Sequence, residues 1–339
     1  MVSNTQTAVA PPEGSPDAGV PWHYGDPLGE QRLLDRGEGF VDLSHRPVIE
    51  VAGEDRLSWL HTLTSQHVSA LPPDQWTEAL ILDANGRVEH HLDLVDDGER
   101  VLAHIEPGTA DVLLDYLQKM VFWSKVEVRV RDDLGVVWRP GASGMDGSDS
   151  YAFVPREDIA TMAGAAAGTW AFEALRVAAG RPRLGLDTDH RTIAAEVNWI
   201  GLAVHLEKGC YRGQETVARV HNLGKPPRRL VRLHLDGSDD RLPERGDALA
   251  FGGRTVGFVG TVVQHYELGP VALGLVKRQV PDDASVVAVP RAAAAVAGAG
   301  AGQPGSVVAG DGQPAPDAAA EGADASLPVT IETVLPQHH

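Results

Sequence analysis

One short segment of the chain combines residue types that could support thiol chemistry. Residues 208–215 read Lys-Gly-Cys-Tyr-Arg-Gly-Gln-Glu, and Cys210 is the only cysteine in the sequence. The glycine on either side of it lets the backbone turn sharply. From Gly213 onward the residue types favour a helix, whose N-terminus, together with Lys208 and Arg212, would stabilise a thiolate at Cys210. The segment therefore predicts a reactive thiol, with a small cysteine that only packs in the interior as the open alternative.

The composition excludes several classes of function. The 339 residues carry 47 acidic and 29 basic side chains, a formal net charge of −18, which argues against binding duplex nucleic acid by bulk charge. A single cysteine excludes an intramolecular disulfide framework, and it excludes a metal cluster held by several of the chain's own thiolates. We therefore expect no permanently bound metal. No apolar run approaches the roughly 20 residues of a membrane span, and residues 1–27 lack the features of a signal peptide, so we expect a cytoplasmic protein.

The elements that must position the thiol alternate between strands and helices in the first half of the chain. Apolar spacing predicts amphipathic helices over residues 54–67 and 109–121. Asn85-Gly86 lies between two apolar runs, which is the strongest short-range signal for a β-hairpin. Further strands are predicted over residues 48–52, 101–105, 126–130 and 136–138. This pattern indicates a mixed α+β fold rather than a regular parallel winding.

The second half of the chain changes from a helix, predicted over residues 170–180, to strands alone after residue 227. Short strands separated by Gly, Pro and Asp turns predict a small closed β-barrel of about 60 residues. The sequence thus divides into a disordered leader, an α+β region of two interleaved subdomains, a C-terminal barrel and a disordered tail rich in Ala, Gly and Pro. These four parts are predicted at residues 1–27, 28–225, 226–290 and 291–339.

The motif at residues 208–215 resembles the signature of the YgfZ family, folate-binding proteins related to the T-protein (aminomethyltransferase) of the glycine cleavage system. The likeness covers about residues 36–289 and leaves both ends of the chain outside it. Beyond the motif, it rests on residues 40–44, 51–55, 175–180, 192–198 and 228–230.

The resemblance implies both a fold and a function. It implies a T-protein-like arrangement of three domains around a central folate channel, in which region 28–225 binds tetrahydrofolate and a small β-barrel follows. It also implies an accessory protein for the assembly or repair of iron–sulfur clusters, tied to tRNA modification, with Cys210 as the functional thiol. The expected partners are folate and iron–sulfur client proteins, with no membrane and no bulk nucleic acid. Whether such a protein is an enzyme stays open.

The resemblance also implies a set of folate-binding residues. Glu196 falls where relatives hold the pterin ring with a carboxylate, which can pair with two N–H groups at once. Trp199 is the aromatic residue expected near the pterin, with a place in the core as the equal alternative. The full expected set is Glu196, Asn198, Trp199, Lys208, Gly209, Tyr211, Gly213, Gln214, Glu215 and Arg219.

The sequence departs from T-proteins on the strand after the hairpin. T-proteins carry an Asp pair there that serves methylene transfer, whereas this chain has His90 and His91, with Glu89 and Asp93 as neighbours. Either histidine could act as an acid or base near neutral pH; alternatively the two lie on opposite faces of a strand with one exposed. A folate-dependent aminomethyltransferase and a plain folate-binding scaffold therefore stay open as alternatives.

A basic island overlaps the signature segment. Residues 207–232 contain seven Lys or Arg against two Glu, in a chain that is otherwise acidic. Such an island could hold the anionic glutamyl tail of a folate or the acidic surface of a partner.

Overall fold

The computed structural model describes residues 7–141, 150–236, 241–282, 284–290 and 326–334. None of the helices in these ranges is long and apolar enough to cross a membrane. In chain order the elements are α1 (Pro27–Asp35), β1 (Phe40–Asp42), β2 (Val48–Ala52), α2 (Arg56–Leu63), β3 (Trp76–Leu82), β4 (Val88–Asp96), β5 (Arg100–His104), α3 (Ala110–Lys119), β6 (Glu127–Val130), β7 (Leu134–Trp138), β8 (Tyr151–Pro155), α4 (Arg156–Ile159), β9 (Ala166–Ala167), α5 (Thr169–Ala178), a 3-10 turn (Ala194–Glu196), α6 (Gln214–Leu223), β10 (Arg228–Leu235), β11 (Ala248–Phe251), β12 (Arg254–His265), β13 (Gly269–Lys277), β14 (Ser285–Val289) and β15 (Leu327–Thr333).

A five-stranded antiparallel sheet, in the order β3-β4-β5-β2-β6, carries the hairpin that the sequence predicted. Helices α2 and α3 cover one face, because Leu60 and Leu113 pack there against Leu92 and Leu94 of β4. Side chains alternate along a strand, so His91 and Asp93 of β4 lie on the opposite face. That second face points toward the rest of the molecule, where His91 stacks on the ring of Trp199.

A four-stranded sheet, in the order β8-β7-β1-β9, is interleaved with the first one along the chain. Strand β1 belongs to it, the chain then leaves to build β2–β6, and it returns with β7–β9. Strand β1 pairs antiparallel with β7 and parallel with β9. Leu34 of α1 and Phe172 of α5 pack with Trp138 of β7 in the core of this part. The mixed α+β prediction is confirmed.

The C-terminal strands close into a six-stranded barrel, in the order β10-β13-β12-β11-β14-β15. The sixth strand, β15, differs from the prediction because it comes from the segment expected to be a disordered tail. It fits between β10 and β14 with Val329 and Ile331 buried at alternate positions, while Thr330 between them is exposed. This strand closes the barrel, so neither neighbouring strand keeps a free edge. Residues 291–325 and 335–339 of the predicted tail lie outside the described residues.

The described part of the predicted leader, from residue 7 onward, also differs from the prediction because it packs on the folded body. The ring of Trp22 stacks on Trp170 of α5, with the ring centroids 4.7 Å apart. The carboxylate of Asp17 is buried, 2.9 Å from Nε2 of His45 and 2.8 Å from Nη1 of Arg183. These contacts join residues far apart in sequence, and for that reason the local composition did not predict them.

Candidate functional site

Lys208 is the buried anchor of the signature segment (residues 208–215). Its ammonium donates hydrogen bonds to the backbone carbonyl oxygens of Thr64 at 2.6 Å and Gln66 at 3.1 Å, and to that of His61. Burial lowers the pKa of Lys208 to about 8, so the ammonium stays charged at neutral pH. The sequence placed Lys208 among folate-binding residues, whereas the structure directs its charge inward to the end of α2.

Gly213 seats the signature segment on the β3–β4 hairpin. It has φ 81°, and a Cβ atom there would lie 2.5 Å from the carbonyl oxygen of Asp83. Across the contact, a Cβ on Gly86 would lie 2.8 Å from Cβ of Thr216. Gly86 is itself left-handed, and its N–H donates to Asp83 at 3.0 Å, as in a hairpin loop built from a turn and a left-handed glycine. Two glycines thus let the segment and the hairpin approach backbone to backbone.

Cys210 is exposed and lies just before Gly213, which caps the N-terminus of α6. Its place before a helix agrees with the prediction, but the two cations expected to stabilise its thiolate are engaged elsewhere. Lys208 is bound to carbonyls, and Nη1 of Arg212 lies 2.9 Å from a carboxylate oxygen of Glu89 on β4. The Arg212–Glu89 ion pair links the signature segment to the strand that follows the hairpin.

The remaining motif residues from the expected folate-binding set do not converge on one point. The side-chain amide of Gln214 donates to the carbonyl oxygen of Lys208 at 3.1 Å, and the ring of Tyr211 is buried against the Lys208 ammonium. Glu215 and Arg219 are exposed on α6, and the position of a Cβ on the exposed Gly209 has no atom within 4 Å. These residues shape the segment more than they line a cavity.

A groove of about 870 Å³ runs between the hairpin, α3 and the loop at residues 184–190, with Arg212 at its edge. We call it the signature groove. Its polar groups come from all of these elements, and Tyr116 of α3 adds an aromatic ring. The side chains used below are Arg87, Glu89, His90, Tyr116, Asp189 and Arg212.

His90 is a buried polar residue of the signature groove. Its Nδ1 has no hydrogen-bond partner among the described residues, and the residue is only 7% exposed. Burial lowers the pKa of His90 to about 4, so the imidazole is neutral at pH 7 and presents both a donor and an acceptor nitrogen. The sequence left open whether one of the two adjacent histidines is exposed; both are largely buried, on opposite faces of β4.

Glu196 makes its bidentate contact with Arg228 of β10. One oxygen accepts from Nε of Arg228 at 2.8 Å, and the other accepts from Nη2 at 2.7 Å and from the N–H of Ile193 at 3.1 Å. Arg228 also donates to Asp189 at 2.7 Å, which joins the barrel to the loop beside the signature groove. The pairing expected between Glu196 and a pterin is therefore made within the protein, between residues that only the closed barrel brings together.

Trp199 and Asn198 are likewise committed to the protein interior. Trp199 is 1% exposed and stacks on His91, with the ring centroids 4.8 Å apart. The amide of Asn198 donates to the carbonyl oxygen of Val334, just after β15. For Trp199 the structure agrees with the core alternative.

A second, smaller cavity of about 40 Å³ lies where the two sheets meet α5. The sequence gave no signal for its main feature, Arg46. This guanidinium is 4% exposed, forms no ion pair among the described residues, and lies 5.3 Å from the ring centroid of Phe172. Beside it, burial raises the pKa of Asp93 to about 6. The volume suffices for a few water molecules.

Glu78, His91 and Asp93 come close enough together near this cavity to hold a metal ion, with candidate ligand atoms within 4.8 Å of one another. However, Glu78 already pairs with the guanidinium of Arg181 and lies 2.9 Å from Nε2 of His91. A protein cation thus satisfies this carboxylate.

Neighbouring residues line the two cavities. His90 lines the signature groove and His91 the second cavity, while Leu184 lines the groove and Arg183 the second cavity.

Comparison with known proteins agrees with this architecture. No family model matches the sequence. The chain is 27% identical over 264 residues to the tRNA-modifying protein YgfZ of Yersinia enterocolitica, covering 66% of this chain and 79% of that protein. It is 24% identical over 302 residues to an aminomethyltransferase of Symbiobacterium thermophilum, covering 71% and 79%. The crystal structure of the glycine cleavage system aminomethyltransferase T of Bartonella henselae superposes with a TM-score of 0.73 at 17% identity, over 98% of this chain and 96% of that one.

The chain is similar to YgfZ proteins and to aminomethyltransferases. These matches confirm the resemblance that the signature segment indicated, and the superposition confirms the T-protein-like fold. A putative chloroplastic transferase of Arabidopsis thaliana is also similar, at 25% identity over 307 residues, covering 76% of this chain and 69% of that protein. In this YgfZ-like chain, the signature segment meets the hairpin at the edge of the signature groove.

Proposed function

We propose that this protein is a tetrahydrofolate-binding accessory factor for iron–sulfur proteins, with the folate in the signature groove and Cys210 as an exposed thiol two residues before Arg212, which lines that groove. The observation that carries the folate site is His90. Its imidazole lines a groove whose volume falls in the usual range for small-molecule sites, and its Nδ1, which is shielded from solvent, has no hydrogen-bond partner among the described residues. An unpartnered buried polar atom is costly, and a ligand that supplies the missing hydrogen bond removes that cost.

The other groups of the groove suit a pterin and its aromatic linker. A pterin edge offers adjacent N–H donors, and the carboxylate of Glu89, which keeps Oε1 and further lone pairs beside its ion pair with Arg212, is an acceptor for them at the groove edge. The ring of Tyr116 offers an apolar face for the p-aminobenzoyl group. The resemblance of the fold to an aminomethyltransferase supports the same ligand class.

The iron–sulfur role rests on the family resemblance and on the exposure of Cys210. One cysteine cannot hold a cluster alone, because the usual sites take four protein ligands. Any cluster contact must therefore be shared with a partner protein, a small thiol or a second copy of the chain. An exposed thiol on a rigidly seated segment is suited to such shared contact.

Anaerobic calorimetric titration with tetrahydrofolate tests the folate site. His90→Leu should weaken binding about tenfold, since one hydrogen bond to the ligand is lost. The matched control is His221→Leu, a substitution of an exposed histidine on α6 that should leave the affinity unchanged. Equal affinity of His90→Leu and wild type would contradict this site assignment.

Complementation of a strain lacking the protein tests the role of the thiol separately. Cys210→Ala should bind tetrahydrofolate as wild type does but fail to support iron–sulfur enzyme activity. Full complementation by this variant would refute the proposed role of Cys210 while leaving the folate proposal intact.

A one-carbon transferase is the second candidate, favoured by one observation. Asp93, with its pKa raised to about 6 by burial, lies on the cavity side of β4 beside His91 and is a carboxylate able to exchange a proton near neutral pH. Turnover of methylene-tetrahydrofolate with an aminomethyl-lipoyl carrier protein, abolished in Asp93→Asn, would favour this candidate. No turnover by the wild type would exclude it.

A further inference from the structure

A second groove, lined mainly by cations, lies at the junction of α6 and the barrel. Its volume is about 550 Å³, and its charged side chains are Arg191, Lys225, Arg228, Lys277, Arg278 and Glu196. We call it the basic groove. Five cations against one carboxylate make it opposite in sign to the chain as a whole, whose net charge is −18.

The positive charge of the basic groove is only partly neutralised. Arg228 is paired with Glu196 and Asp189. Burial raises the pKa of Asp189, but its contacts, among them the hydrogen bond from Arg228, outweigh burial and lower this pKa to about 2. Lys277 and Arg278 donate to backbone carbonyl oxygens, which carry no net charge, and Lys225 forms no ion pair within the described part of the chain. Counting five cations against these two carboxylates leaves a surplus of three positive charges.

The basic groove lies next to the signature groove. His190 lines the signature groove and the next residue, Arg191, lines the basic groove. The ion pair between Asp189 of one groove and Arg228 of the other, 2.7 Å long, joins their walls. The two grooves therefore meet at residues 189–191, where the cations of the basic groove begin.

We infer that the basic groove binds the γ-linked glutamyl tail of a folate polyglutamate whose pterin end lies in the signature groove. The inference rests on the proposed folate site and extends it to the form of the substrate. A glutamyl tail adds one carboxylate per residue in a linear chain, and this matches cations spread along a groove. The acidic remainder of the surface disfavours a long nucleic acid, whose phosphates extend well beyond five cations.

The test compares tetrahydrofolate carrying one and five glutamates, titrated calorimetrically at low and high salt. Wild type should bind the pentaglutamate about tenfold more tightly at low salt, since two or three partly exposed ion pairs add modest affinity that salt screens. The double variant Lys225→Gln/Arg278→Gln should lose this gain and keep the affinity for the monoglutamate. Lys125→Gln is the control, because Lys125 is exposed, pairs with Glu54 and lines neither groove.

Equal affinity of wild type for both tail lengths would overturn the inference, and so would a gain that survives in the double variant. Binding of a short RNA that disappears in the double variant, with no effect of tail length, would assign the groove to phosphates and would also overturn it. If the monoglutamate does not bind at all, the proposed folate site fails. In that case free γ-linked pentaglutamate is titrated instead. Salt-sensitive binding that is lost in the double variant supports the tail site, and no binding to wild type overturns the inference.

Discussion

Replacing Lys208 by Met tests whether the most conspicuous cation of the signature segment is an anchor or a ligand contact. Lys208 is 6% exposed, and its ammonium is held by three backbone carbonyl oxygens at the end of α2 and in the loop that follows it. Methionine keeps the length and apolar character of the side chain but supplies no donor. The substitution therefore removes the hydrogen bonds without opening a large cavity.

The expected loss follows from the partners left behind. The carbonyl oxygen of Gln66 also accepts from the N–H of Val68, so it keeps a partner, whereas those of His61 and Thr64 lose the Lys208 ammonium. Each buried acceptor left unsatisfied costs about 1–3 kcal/mol. Two such groups predict a loss of about 3 kcal/mol in the free energy of unfolding. The lost charge-assisted hydrogen bonds would make the loss larger, but the variant no longer buries an ammonium, and this offsets part of it.

Urea unfolding measures this loss as a lower midpoint concentration of urea, while the slope of the unfolding free energy against urea concentration stays unchanged. Lys125→Met is the matched control; its side chain is 73% exposed, and its change should stay below about 0.5 kcal/mol. A loss below about 1 kcal/mol for Lys208→Met, combined with weaker tetrahydrofolate binding, would refute the anchoring role and restore Lys208 as a ligand contact.

Three further predictions test the seating of the segment, the groove histidine and the barrel. Gly213→Ala should lower the free energy of unfolding by about 3 kcal/mol, because φ is 81° and the new Cβ meets a backbone oxygen at 2.5 Å. The control Gly209→Ala should change the stability in urea little. Similar effects of the two substitutions would contradict the close contact between Gly213 and the hairpin. Because the pKa of His90 falls from 6.5 to about 4 on folding, protonation favours the unfolded chain, so stability should decrease by about 3 kcal/mol as the pH drops through that window. His90→Leu should flatten this part of the pH profile, and an unchanged profile would show that His90 is not buried as a neutral base. Ile331→Ala should cost about 3 kcal/mol and Thr330→Ala little, and equal small effects would show that β15 does not close the barrel.

Local sequence patterns predicted the parts of the fold that depend on neighbours in the chain. The Asn85-Gly86 hairpin, the helix α3 and the helix that follows the signature segment all have short-range signals, and the structure contains each of them. The strand alternation after residue 227 likewise indicated a barrel, because each of its turns is marked by Gly, Pro or Asp.

Contacts between distant residues were beyond such patterns. Glu196 is satisfied by Arg228, and Asp17 of the supposed leader reaches Arg183, so neither carboxylate is free in the way its sequence context suggested. The inward direction of Lys208 depends on where α2 ends. Family resemblance named candidate site residues, but which of them form the frame and which face a ligand depends on the packing of sheet, helix and barrel.

The most direct test of the central claim is amide hydrogen exchange of the full chain with and without tetrahydrofolate. Binding in the signature groove predicts added protection in the hairpin at residues 83–90, in α3 and in the loop at residues 184–190, with little change in β11 and β14 of the barrel. Protection confined to other parts of the chain, or the absence of any change at saturating tetrahydrofolate, would contradict the proposed site.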